Sequence, residues 1–208
     1  MFRSAVLLTL ISLASAGAAS ATVPVITADQ IVRHASADIT QSGKSNTATV
    51  DQVDTDGNVI LTQSGDGNTA SVKQSGSGYN TATVGQTGAD NYASLIQSGG
   101  TNTAILTQDG IGNQSSIQQT AGANQSNLAV VTQAGIGNLA SLTQTGNNNQ
   151  AYQTQLGSGD NQSISQSGNS NFAVYTQIGN NLPDLAIKQT GGMSATIVQT
   201  ASPFTKGH

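Results

Sequence analysis

From residue 41 onward, polar and apolar positions alternate. Segments such as "NTASVKQ" (68–74) and "NLASLTQ" (138–144) fit N-x-A-x-φ-x-Q, with φ aliphatic, so four side chains recur at every second position. Period two is strand spacing, because successive side chains of a strand point to opposite faces, whereas a helix would need a period of about 3.6. Asn, Ala (or Ser115), the aliphatic residue and Gln are therefore expected on one face, assigned to the interior. The x-G-x-x that follows reads as a tight corner in which glycine adopts positive φ at little steric cost. One strand and one corner make a unit of 11 residues.

The units are counted on their glutamines: Gln41, Gln52, Gln63, Gln74, Gln86, Gln97, Gln108, Gln119, Gln133, Gln144, Gln155, Gln166, Gln177, Gln189 and Gln199. Ten of the fourteen spacings are 11, and the others are 12, 14, 12 and 10. In the first fourteen units Gly stands two residues after the Gln except at Asp54 and Ala121. Asn stands six before it at Asn46, Asn68, Asn80, Asn91, Asn102, Asn113, Asn127, Asn138, Asn149 and Asn171. A second rhythm overlies the first. Three residues before each Gln, alternate units carry Thr49, Ser71, Ser94, Ser116, Ser141, Ser163 and Ala186, while the others carry Ile60, Thr83, Ile105, Val130, Tyr152, Val174 and Thr196. The predicted fold is all-β: a β-solenoid of 11-residue strand-turn units, two strands per 22-residue rung, forming two stacked parallel sheets of amyloid-like spacing.

A rung loses about 1–2 kcal/mol per residue in backbone entropy and has little core of its own. Its stability must come from neighbours about 4.8 Å away: ladder hydrogen bonds, aliphatic burial, and Gln and Asn amides that pair with their own copies. Capping repeats normally cover the ends of such stacks. Here Gln199 is followed only by "TASPFTKGH", with Pro203 and Phe204 as candidate cover. Residues 22–39 carry the pattern faintly, "ASADITQ" placing Ala35, Ala37, Ile39 and Gln41 on one face, and are expected to be flexible rather than a cap. A stack without strong caps is expected to add to itself end to end into a fibre.

Some positions depart from the pattern. Gly57, Asp160, Pro183 and Met193 occupy Asn slots, and Gln153 occupies an aliphatic one. "QTAGANQSN" (119–127) inserts three residues, expected to bulge outward. Pro183 cannot donate to a ladder, which predicts the strand ending at Gln189 to be the least stable.

The first twenty-one residues read as a secretory signal peptide: Arg3, the apolar "AVLLTLISLA", and "ASA" ending at Ala21, with Ala16 as an alternative cleavage position. No later stretch approaches the roughly 20 apolar residues of a membrane span. Without Arg3, five basic residues face ten acidic ones, all Asp, a net charge of 5 − 10 = −5 that disfavours nucleic acid as a partner. The absence of Cys means that an exported chain is held together without disulfides. Charged residues at 8% and aromatics at 3% would suggest disorder; the periodicity decides against it. His34 and His208 are far apart and Glu is absent, so no enzyme, cofactor or metal site is expected. Asp54, Asp56, Asp66, Asp90 and Asp109 lie in or beside Gly-rich turns without calcium-repeat spacing, and read as turn formers that restrain aggregation by charge. Lys73 and Lys188 read as solvated strand positions. Leu128, Val130, Tyr152, Phe172 and Val174 cluster outward on one sheet, either as a contact face between fibres or as ordinary β-formers.

The unit N-x-A-x-φ-x-Q-x-G-x-x-N, behind a signal peptide in a Cys-free chain rich in Gly, Asn and Gln, resembles the curlin repeat of bacterial curli subunits over roughly residues 41 to 199. The resemblance implies a subunit exported through a dedicated outer-membrane secretion channel and polymerised at the cell surface, with itself and with other curli subunits, into amyloid that supports biofilm, adhesion and cell cohesion. It implies that the inward Gln and Asn residues carry self-assembly and that an export-directing segment lies within residues 22–40. Both the major and the nucleating subunit type remain open. The expected division is then 1–21 signal peptide, 22–40 flexible or export segment, 41–199 solenoid and 200–208 tail. The alternative is a monomeric secreted solenoid that binds a flat surface such as ice or polysaccharide through Thr-x-Thr pairs in "NTATV" at 46–50 and 80–84.

Overall fold

The computed structural model describes residues 7–14, 25–31, 35–53 and 55–201. Ala16, Ala21, His34, Asp54, Pro203, Phe204 and His208 lie outside these residues. In chain order the strands are β1 (Leu7–Ala14), β2 (Val25–Ile31), β3 (Ser36–Ser42), β4 (Thr47–Val53), β5 (Asn58–Asp66), β6 (Thr69–Ser75), β7 (Thr81–Ala89), β8 (Tyr92–Gly99) and β9 (Thr103–Ile111). They continue as β10 (Gln114–Ala121), β11 (Asn127–Ile136), β12 (Leu139–Thr145), β13 (Asn149–Ser158), β14 (Asn161–Ser167), β15 (Phe172–Asn180), β16 (Leu185–Thr190) and β17 (Ser194–Thr200). Among the described residues, odd strands form a nine-stranded sheet and even strands an eight-stranded one, each in sequence order. No helix among the described residues is long and apolar enough to cross a membrane.

Each strand pairs in parallel with the strand two further on, so like residues meet. In the odd sheet Ile105 lies beside Thr83 and Val130, and Val130 beside Tyr152. In the even sheet Ser94 lies beside Ser71 and Ser116. The two outward columns read from the sequence are thus the outer faces of two sheets. Inward, Ala alternates with an aliphatic residue along most strands to give one continuous core, from Ala37 and Ile39 to Ala173 and Tyr175. The corners are laddered as well: the Asp90 N–H donates to Asp66 O at 3.0 Å, and that of Gly112 to Ala89 O at 2.9 Å.

The sheets begin upstream of the first counted unit. In β3, Ala37, Ile39 and Gln41 are buried and sit in register with Val59, Leu61 and Gln63. In β2, Ile26 and Ala28 pack half-buried against the core, in register with Ala48 and Val50. Period-two alternation suffices for pairing even where the Asn slot is not filled. The three-residue insertion leaves Gly122, Ala123 and Asn124 exposed, and register resumes at Asn127 beside Asn149. After Pro183, β16 has only six residues, of which Ile187 and Gln189 are buried.

Glycine after the Gln has a reason beyond turn formation. Gly110 has φ +129°, and a Cβ built on it would stand 1.9 Å from the carbonyl oxygen of Gly135 in the next rung. No side chain fits between stacked corners this close, and an L-residue would also be strained in that backbone region. Gly110→Ala is expected to destabilise the solenoid by about 2 kcal/mol or more. The urea unfolding midpoint of the variant against the parent checks this, with the unconfined Gly112→Ala, whose Cβ meets nothing within 4 Å, as the control for positive φ alone.

Candidate functional site: the stacked amide ladders

The inward glutamines form two hydrogen-bonded columns. In the odd sheet each Nε2 donates to the Oε1 one rung later, from Gln41 to Gln63 at 2.5 Å, Gln86 to Gln108 at 2.8 Å, Gln108 to Gln133 at 2.9 Å and on to Gln199. In the even sheet the chain runs from Gln52 through Gln74, Gln97, Gln119, Gln144 and Gln166 to Gln189 at 2.8–3.0 Å. The second amide hydrogen crosses between sheets: Gln97 Nε2 donates to Thr81 O at 2.9 Å, and Gln108 Nε2 to Tyr92 O at 3.0 Å. One amide therefore ties rung to rung and sheet to sheet. From Gln41 to Gln189 these side chains are buried, and Gln199 on the terminal strand is half-buried.

The asparagines are joined differently from the expected amide-to-amide stack. Asn68 Oδ1 accepts from the backbone N–H of Asn91 at 3.1 Å, and Asn91 Oδ1 from that of Asn113 at 3.0 Å. The Nδ2 donates to the carbonyl four residues earlier and to a corner glycine one rung later, as Asn91 does to Thr87 O at 3.1 Å and Gly110 O at 2.9 Å. Direct Asn-to-Asn bonds occur too, for example Asn171 Nδ2 to Asn149 Oδ1 at 2.9 Å. The Asn and Gly of the motif thus belong to one device, because the positive-φ glycine presents its carbonyl to the Asn of the neighbouring rung. All ten predicted asparagines are buried.

The departures are resolved individually. At Gly57 an Asn would not fit, since a Cβ there would stand 2.4 Å from Gln74 Oε1. Thr55 substitutes for it from two residues away: its hydroxyl donates to Gly78 O at 2.8 Å and accepts from Asn80 Nδ2 at 3.3 Å. Pro183 offers its carbonyl to Gln177 and Gln199 at 3.3 and 3.2 Å. Met193 keeps the backbone part of the device, its N–H reaching Asn171 Oδ1 at 3.2 Å. Asp160, 1% exposed, donates its N–H to Asn138 Oδ1 and accepts from the Leu182 N–H through Oδ1, while its buried Oδ2 has no partner.

Sequence reasoning missed three features of this region. Gln162 fills an Ala slot and, with Gln153, places buried amides in the apolar core; their Nε2 groups donate to Thr154 O and Ser141 O, and their Oε1 atoms have no partner. Tyr175 takes an aliphatic slot at 0% exposure, its hydroxyl donating to Gln199 Oε1 at 2.8 Å and accepting from Leu185 N–H at 3.1 Å. Burial pushes this phenol above its ordinary pKa of 10.0; Leu185 opposes the shift, and the charges of Asp184 and Asp160 add to it. Lys73, read as merely solvated, pairs with Asp51 at 3.2 Å across the even sheet. Among the described residues no three His, Cys, Asp or Glu gather to hold a metal ion. The Thr-x-Thr pairs do not build an array, because Thr83 is followed in its column by Ile105, Val130 and Tyr152. Tyr152 and Phe172 meet on that outer face with ring centroids 6.0 Å apart.

Two substitutions test the ladder. Gln108→Leu keeps the volume but strands the Gln86 donor and the Gln133 acceptor, and should cost about 2–4 kcal/mol in denaturant unfolding. Asp160→Asn should act oppositely. Register places the Leu156 and Gly179 carbonyls where Asn138 finds those of Ala134 and Gly157. A new amide there should stabilise the chain by about 1–2 kcal/mol, seen as a raised urea midpoint.

No curated protein and no solved structure matches the chain. The family described as the curlin associated repeat matches three times, at residues 35–60, 58–88 and 88–120. The columns it covers continue in unbroken register to Thr200, and residues 35–120 are built of curlin associated repeats.

Proposed function

We propose that the chain is a structural subunit of extracellular curli-type amyloid fibres, exported behind its N-terminal signal and polymerising end to end to serve biofilm matrix, surface adhesion and cell aggregation. The observation that carries this reading is the pair of Gln columns, which run through the stack and, among the described residues, reach sheet edges at β16 and β17. A buried amide column gains from every rung added, because each new rung satisfies the donors and acceptors of the last. Open edges with unpaired N–H and C=O groups supply the template. The curlin associated repeats at residues 35–120 support the same reading, and the partners they suggest are other curli subunits and an outer-membrane secretion channel. The inward Gln and Asn residues are the self-assembly residues in this proposal.

Residues 22–208, diluted from denaturant, are expected to gain thioflavin fluorescence over time and to form fibres diffracting near 4.7 and 10 Å. A persistent strand-rich monomer with no dye response over days would overturn the fibre reading. Growth with a lag that seeds shorten identifies a major subunit, and growth without a lag a nucleating one.

A further inference from the structure

The two ends of the stack differ, and each carries what the other lacks. One outward column of the even sheet begins Asp29, Asp51, Lys73 and ends Ser165, Lys188. Asp51 is held by Lys73 at 3.2 Å. Asp29 therefore lies next to a carboxylate of its own sign, an unfavourable neighbour across parallel strands, while Lys188 is exposed on the last even strand. The inner faces also match. β2 presents half-buried Ile26 and Ala28 at one end, and β16 presents Leu185 and Ile187 at the other, Leu185 being 45% exposed. In the odd sheet Gln41 is the first of its column: its Nε2 donates to Gln63, but its buried Oε1 has no partner. Every later glutamine of that column accepts from the one before, up to Gln199.

We propose that the partner of both ends is a second copy of this chain in a single register: β2 continues the even sheet on β16 of the preceding copy, and β3 continues the odd sheet on β17. The proposal rests on the fibre reading and specifies its junction. Lys188 then faces Asp29, Leu185 and Ile187 cover Ile26 and Ala28, and Gln199 Nε2 donates to the orphaned Gln41 Oε1. The charge column becomes Lys188, Asp29, Asp51, Lys73, with each carboxylate beside an ammonium group. Strand counts impose one further condition. With nine strands in the odd sheet and eight in the even one, the two sheets cannot both be continuous across a junction. β1 is the surplus strand, and it pairs with β3 on the side of Gln41 that the junction needs, with Leu13 in register with Gln41. Loss of the signal segment leaves eight strands in each sheet and uncovers β3, so that export and competence to polymerise become one event.

The test is seeded elongation of residues 22–208, followed by thioflavin fluorescence at low salt, for the parent, Lys188→Asp, Asp29→Lys and the double charge swap. Each single reversal is expected to slow growth on its own seeds about fivefold, and the swap to restore it to within about twofold. The first Asp29→Lys copy should also add to Lys188→Asp seeds at the rate of the swap, and growth should then slow, because the next junction sets Lys188 against the introduced lysine. Parental rates for the single variants, or a swap no better than they are, would overturn the junction while leaving the fibre reading intact. A parent that never elongates would instead overturn the fibre reading, and the junction with it. The chain that retains residues 1–21 should extend parental seeds at least about tenfold more slowly, because one added strand puts the sheets out of step; equal rates would overturn the role given to β1.

Discussion

Each inward amide of the repeat must find its partner in the neighbouring rung, and the rest of the molecule follows from that requirement. A buried primary amide has two donors and an acceptor with two lone pairs, and leaving one unpaired costs about 1–3 kcal/mol. An ordinary core would exclude such groups. Here the interior carries Gln and Asn in every turn of the coil, so the chain is committed to a repeat in which the same residue arrives at the same height every rung. The spacings of 11 and 22, the parallel pairing and the strand order all express this one condition. Glycine at the corner belongs to it as well, since only a residue without Cβ brings one corner carbonyl within reach of the Asn beneath and the next corner close above.

The requirement also shows where variation is cheap. The insertion between Gln119 and Asn127 alters nothing inside, because Asn127 still donates to Thr120 O, now seven residues back, and to Gly146 O. Variation inside the column is costlier and is concentrated late in the chain. Gln153, Asp160 and Gln162 each keep one buried oxygen without a partner, and the Gln155 to Gln177 bond in the same region is the longest of its column at 3.4 Å. Tyr175 compensates in part: by bonding Gln199 and Leu185 it ties β15 to both terminal strands, β16 and β17, where Pro183 leaves no donor.

The fold was legible because two periods are written into the letters. Alternation assigned the faces, and the alternate outward sets Ser71, Ser94, Ser116 and Thr83, Ile105, Val130 separated the sheets. The site was legible as a set of residues but not as a set of bonds. Stacking like on like predicts the Gln columns, yet the Asn column closes mainly through backbone N–H groups and glycine carbonyls, which depends on where a positive-φ corner aims its oxygen. Thr55 could not be recognised as the substitute for the missing Asn at 57, because it lies two residues off the period and works through a loop. Gln162 was hidden by neighbouring polar letters in "DNQSISQS", where an amide in an Ala slot looks like surface. The pairing of Asp51 with Lys73 spans 22 residues and appears only once the register is known.

The ladder has a direction as well as a register. Gln donors all point toward the later rung, as Gln86 does to Gln108, whereas Asn oxygens receive N–H groups from the later rung, as Asn91 does from Asn113. The face of any rung toward the C-terminus therefore offers Gln N–H, Asn Oδ1 and Asn Nδ2. The opposite face offers Gln Oε1, a backbone N–H and a glycine carbonyl. Each face fits the other and neither fits itself: two C-terminal faces would set Nε2 against Nε2, and two N-terminal faces Oε1 against Oε1, burying like groups together. Parallel sheets are already polar in their backbone, and the side-chain rotamers repeat that polarity in the interior. A stack of this kind can be continued in one sense only, and growth at its two ends is chemically distinct because the acceptor end and the donor end are different surfaces.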